Sequence, residues 1–108
     1  MKIIKNRNPA VPGFKAAGLD CGIKDNYIKD LALIISESPG TAAAVFTKNR
    51  VVSPSVTWSR RALAKSGSCR AVIVNSGNAN TVTGSKGLKD CDAITKKVAK
   101  ELGILQKE

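Results

Sequence analysis

The 108 residues, 43% of them apolar, fit one domain with a modest core and exclude disorder as the default state. Eighteen Lys and Arg against eight Asp and Glu give a net charge of +10; histidine is absent, which excludes a His-activated Ser or Cys nucleophile carried within the chain. No apolar run approaches the ~20 residues that span a bilayer, and residues 1–7 lack the apolar stretch of a secretory signal, so a cytoplasmic location is expected.

Residues 1–13, with Pro9, Pro12 and Gly13, read as an irregular lead-in. Residues 14–23 are strand-like, and Gly18 and Gly22 within them suggest a bulge or a close backbone approach. Asp25-Asn26 marks a turn. Residues 30–36, DLALIIS, suit a buried strand. Ser38-Pro39-Gly40 turns the chain, and TAAAVFT over residues 41–47 is expected to return as a hairpin partner. Pro54 opens a helix over residues 55–65, closed by Ser66-Gly67. Residues 70–75 form the next strand. From 85 to 102, Leu88, Cys91, Ile94 or Thr95, Val98 and Leu102 recur at helical spacing, with Lys86, Lys89, Lys96, Lys97 and Lys100 mostly off that stripe. Asp92 with Lys96 and Lys97 with Glu101 are supporting i,i+4 pairs, and Gly103 ends the helix. The order strand, strand, strand, helix, strand, helix predicts an α/β fold of mixed α+β layers, with strands packed against helices. There is no internal repeat.

Cys21, Cys69 and Cys91 are odd in number, widely spaced and free of any C-x-x-C pair, which makes a poor disulfide framework and a poor zinc site. They read as small apolar residues. The basic residues are scattered from Lys2 to Lys107, with Arg60-Arg61 and Lys96-Lys97 the adjacent pairs, and the chain has four aromatics. A solvated basic surface fits this better than a stacking platform for nucleic acid.

The chemistry concentrates where the strand over 70–75 runs into "VNSGNANTVTG". This loop holds amides, hydroxyls and glycines, but no Lys and no carboxylate. A strand end that leads into a helix start can hold an anion on unpaired N–H groups. Thr83 offers a hydroxyl donor beside the unobstructed N–H of Gly84, a pair able to stabilise an acyl-transfer oxyanion. Asn75, Asn78 and Asn80 can brace the loop through side-chain to backbone bonds. The plain alternative is turn material followed by a Thr N-cap. The glycines match neither a Walker loop nor G-x-G-x-x-G.

"NSGNAN…TG" closely resembles the signature of the ornithine acetyltransferase family, also called the glutamate N-acetyltransferase family of arginine biosynthesis. "GFKAAGLDCGIK", "DLALI", "AAVFTKN" and "SPSVTWSR" resemble further family segments in the family's order. The similarity covers nearly the whole chain, with Thr81-Val82 standing where the family usually has Ala-Cys. The resemblance implies acetyl transfer from N-acetylornithine to glutamate through an acetyl-threonine enzyme, with no cofactor. Whether acetyl-CoA is a second donor, which would make the enzyme bifunctional, stays open. It further implies a precursor that cleaves itself before a threonine, which becomes the N-terminal nucleophile of a second, beta chain in an alpha2-beta2 assembly. Thr83 and Gly84 match the family's oxyanion pair. The nucleophile is expected beyond Glu108, so residues 1–108 are expected to be a truncated N-terminal part, inactive alone. No threonine within them is the nucleophile, since none begins a chain. A non-catalytic anion-binding module and a basic nucleic-acid-binding domain are the rival readings.

Overall fold

Alternating apolar residues build a three-stranded antiparallel sheet in a computed structural model that describes residues 11–25 and 27–108. The expected lead-in over residues 1–10 and the Asn26 half of the expected turn lie outside the described residues. The strands are β1 (Phe14–Leu19), β2 (Leu31–Thr41) and β3 (Ser68–Asn75), with β2 central. Leu33 stands opposite Ala17 and Ile73, and Ile35 opposite Lys15 and Ala71, so these residues share one face. Leu31, Ala71, Ile73 and Asn75, on that face, line a groove together with helical residues. The other face leaves Phe14, Ile34, Val72 and Val74 about half exposed.

Helix α1 (Pro54–Ser66) starts with proline in its first turn, where the missing N–H is not needed. It ends at Gly67 (φ +62), whose N–H returns to the Leu63 carbonyl at 2.8 Å. Helix α2 (Gly84–Leu102) closes with Gly103 (φ +64) donating to Lys100 and Ile104 donating to Ala99, a Schellman closure. The two helices pack where Gly87 stands against Pro54 and Thr83; a Cβ at 87 has no room.

The stripe on α2 falls as the spacing predicts. Leu88, Cys91, Thr95, Val98 and Leu102 are half-buried and Ala99 is buried, while Ile94 is 50% exposed, so Thr95 takes the inward place. Lys97 pairs with Glu101 at 2.7 Å and Lys86 with Asp90 at 2.8 Å. Asp92 instead accepts from the Gln106 amide at 2.9 Å.

The hairpin expected at 38–47 is not formed. β2 runs straight through Ser38-Pro39-Gly40, and the chain after Thr41 has no regular structure up to α1. The register jumps from Ile35 opposite Ala71 to Gly40 opposite Cys69, leaving a bulge on β2 that contains Pro39. Arg70 fills the gap, donating to the carbonyls of Ser36 (3.3 Å) and Glu37 (3.0 Å). The segment expected as a strand is held by α1 instead. The Arg60 guanidinium lies 5.2 Å from the Phe46 ring centre and donates to the Thr47 carbonyl at 3.1 Å. The order is therefore ββαβα, a mixed α+β architecture.

Candidate functional site

The loop that joins β3 to α2 is shaped by backbone conformation more than by side-chain bonds. Gly77 has φ +100, Val82 φ +63, Thr83 φ −86 and Gly84 φ +60. Alternation of hand over 82–84 turns successive N–H groups toward a common side, the geometry of an anion-binding nest. For a β-branched residue such as Val82 a positive φ is a true outlier, and strain of this kind persists only where the surroundings impose it.

Thr83 is the residue before α2, yet its hydroxyl makes no capping bond. It donates to the Asn80 carbonyl at 2.8 Å instead, so the plain N-cap reading does not describe it. The Gly84 N–H has no protein acceptor among the described residues. Both residues are exposed. Together they line a cleft of about 370 Å³ with Val51, Pro54, Thr57 and Leu88, in which Arg50 is the one charged residue among those described. Arg50 escaped the sequence reading because nothing in its neighbours marks it; chain folding alone brings it there. Thr83 also borders the large groove of about 910 Å³ between sheet and helices, along with Asn75, Asn78 and Asn80.

The three asparagines line the same groove as Thr83, but among the described residues none of their side chains makes a hydrogen bond. Bracing comes from elsewhere. The Ser76 N–H donates to the Asp30 main-chain carbonyl at 2.8 Å, and Gly77 abuts Ile23 and Lys24. Asp30, in the sequence only the first residue of an expected strand, is 3% exposed. Its carboxylate accepts the N–H groups of Cys21 (2.8 Å), Ile23 (2.6 Å) and Lys24 (3.0 Å). These bonds, that from Cys21 foremost, hold its pKa well below the ordinary carboxylate range despite burial. A carboxylate so held is a fixed anion and not a proton carrier at neutral pH.

Two of the thiols are poor nucleophiles. The Asp30 carboxylate pushes Cys21 up, burial pushes Cys91 up, and a raised thiol carries less of the reactive thiolate. Among the described residues no group of His, Cys, Asp and Glu could hold a metal ion, and no helix is long and apolar enough to cross a membrane.

Comparison with known proteins agrees with the segment similarities. The model of the ArgJ family matches residues 15–108. Over 96 residues the chain is 48% identical to the arginine biosynthesis bifunctional protein ArgJ of Streptomyces avermitilis, covering 88% of this chain and 25% of that protein. The ArgJ protein of Caldanaerobacter subterraneus subsp. tengcongensis is 43% identical over 100% of this chain and 26% of its own length. The chain thus spans about a quarter of the length of the curated relatives it matches. The crystal structure of the ArgJ protein from Bacillus halodurans superposes with a TM-score of 0.85 at 36% identity, over 89% of this chain and 50% of that one. Ornithine acetyltransferase from Mycobacterium tuberculosis, solved with ornithine bound, gives 0.78 at 45% identity, over 85% and 48%.

Proposed function

The chain belongs to the ArgJ family, and from that premise we propose that it forms the oxyanion-binding part of an acetyltransferase of arginine biosynthesis. The reaction is transfer of an acetyl group from N-acetylornithine to glutamate through an acetyl-enzyme. The observation that carries this reading is the Thr83–Gly84 pair: a hydroxyl and a free N–H side by side on a nest-shaped backbone, flanked by a cationic Arg50.

When a nucleophile attacks the acetyl carbonyl, negative charge develops on its oxygen. The Gly84 N–H has no acceptor among the described residues, so it can meet that oxygen without breaking a bond recorded there. The Thr83 hydroxyl must turn its proton from the Asn80 carbonyl to join it. An exchange of that kind favours the transition state, because a full oxyanion accepts more strongly than a neutral carbonyl. Neither residue moves a proton to or from the substrate. The nucleophile and base come from elsewhere in the full protein: an N-terminal threonine created by self-cleavage, whose own amine serves as base. One comparison supports this two-chain reading. The solved family chains are half covered by this sequence and the curated relatives only a quarter, so each solved chain is about half a full-length relative. The alpha2-beta2 assembly and the cytoplasmic setting complete the reading.

Two arms test it. The full-length protein carrying this segment should release ornithine from N-acetylornithine when glutamate is supplied, and residues 1–108 alone should not exceed a buffer blank. Turnover by the isolated segment would overturn the assignment of the nucleophile; absence of turnover in the full-length protein would overturn the reaction.

A further inference from the structure

Asp30 is the one buried charged residue among those described, and it belongs to no ion pair there. Three N–H groups converge on its two carboxylate oxygens, from Cys21, Ile23 and Lys24. Its main chain is equally committed. The Asp30 N–H donates to the Leu19 carbonyl at 3.1 Å, and its carbonyl receives the Ser76 N–H at 2.8 Å. One residue therefore joins the end of β1, the loop over 20–25, the start of β2 and the entry of the Asn-Gly loop.

The two loops meet a second time at Gly77. A Cβ built there would stand 2.6 Å from Lys24 Cγ and 3.1 Å from Ile23 Cγ2, and φ is +100°. Only glycine allows so close a seat with that backbone. The position of Gly77 therefore depends on where Ile23 and Lys24 stand, and their backbone N–H groups are held by the Asp30 carboxylate.

We infer that Asp30 is a positioning residue: by clamping the 21–24 loop it fixes the seat of Gly77 and, through the short loop that follows, the Thr83–Gly84 donor pair. The effect on catalysis rests on the oxyanion reading above; the coupling between the two loops does not. A carboxylate suits the task because it offers acceptors on both oxygens and no donor. An amide in its place keeps one acceptor oxygen and turns an NH₂ group toward a backbone N–H, so at least one of these part-buried N–H groups loses its acceptor. The rival is a purely local role, in which Asp30 holds the 21–24 loop and nothing beyond it.

The test uses the full-length, processed protein with Asp30→Asn, read by hydrogen exchange and by steady-state kinetics. Exchange should quicken roughly tenfold or more in peptides covering both 20–25 and 75–84. The displaced donors should lower kcat on the order of 10–100-fold, with KM within about threefold, because the lost contacts form mainly in the transition state. Faster exchange confined to 20–25, with 75–84 at the native rate, overturns the proposal. Should Thr83→Ala leave kcat unchanged while Asp30→Asn loosens both loops, the oxyanion reading fails and the coupling stands. A second pair of variants decides the matter even if Asp30→Asn does not fold. Gly77→Ala should quicken exchange over 75–84, and adding Lys24→Ala, which removes the Cγ against the new methyl, should restore part of it. Equal exchange with and without Lys24→Ala means that the 21–24 loop is not the seat of Gly77.

Discussion

Thr83 shows how one side chain can be read two ways until its hydrogen bond is seen. As an N-cap it would satisfy an orphan N–H of α2, and its loss would cost ~1 kcal/mol of stability. The hydroxyl instead donates to the Asn80 carbonyl on the exposed loop, and the first turn of α2 has no side-chain cap. Thr83→Ala in the processed full-length enzyme should therefore change folding stability by no more than about 1 kcal/mol. Turnover should suffer far more: removal of one oxyanion donor lowers kcat ~10²–10³-fold, with KM little changed. Measuring kcat and the denaturation midpoint on one preparation separates the two roles. Normal turnover with lowered stability would return Thr83 to the status of a structural loop residue.

At the scale of elements, α2 was the most legible part of the chain, because its apolar positions recur every three or four residues and Gly103 ends it with the expected left-handed turn. The same stripe supplies a prediction. Leu102 is half-buried and Lys96 exposed. Leu102→Ala should cost ~1–3 kcal/mol, toward and below the low end of the range for a fully enclosed leucine, whereas Lys96→Ala should stay within about 0.5 kcal/mol. Equal shifts of the urea midpoint would mean that the packed face of α2 is misassigned. The strand expected over 41–47 failed for a physical reason. Its β-branched and aromatic residues suit a sheet, and Ser38-Pro39-Gly40 is turn material. Pro39 sits in a β2 bulge, and the partner on that side of β2 is β3, which arrives from beyond α1. A long-range competitor of this kind leaves no mark on the local pattern. The Asn-Gly loop stood out in the sequence because its residue types are unusual at a strand end; that it holds an anion is the proposal made above. Its support did not stand out, since Asp30 acts through main-chain N–H groups of a distant loop that no side-chain pattern announces.

At the scale of the whole molecule, the described residues enclose little. Among the described residues no large side chain is fully buried, and both the groove and the outer sheet face leave apolar side chains exposed. A net charge of +10 adds self-repulsion to a structure with little enclosed area to oppose it. Heat capacity reports this directly, because ΔCp of unfolding follows the apolar surface that unfolding exposes. For 108 residues a closed domain would give ~1.3–1.6 kcal/mol/K. The isolated chain should fall well below that range and should bind an environment-sensitive apolar dye, Trp58, Leu63, Ile73 and Val98 on the groove wall being the surface the dye finds. If the whole protein is as long as its curated relatives, of which this chain spans about a quarter, the dye signal per molecule should drop, because the added chain can cover those walls. A full-sized ΔCp with no dye binding by residues 1–108 alone would show that sheet and helices close on each other unaided, and the openness of the groove would then have no part in how this segment works.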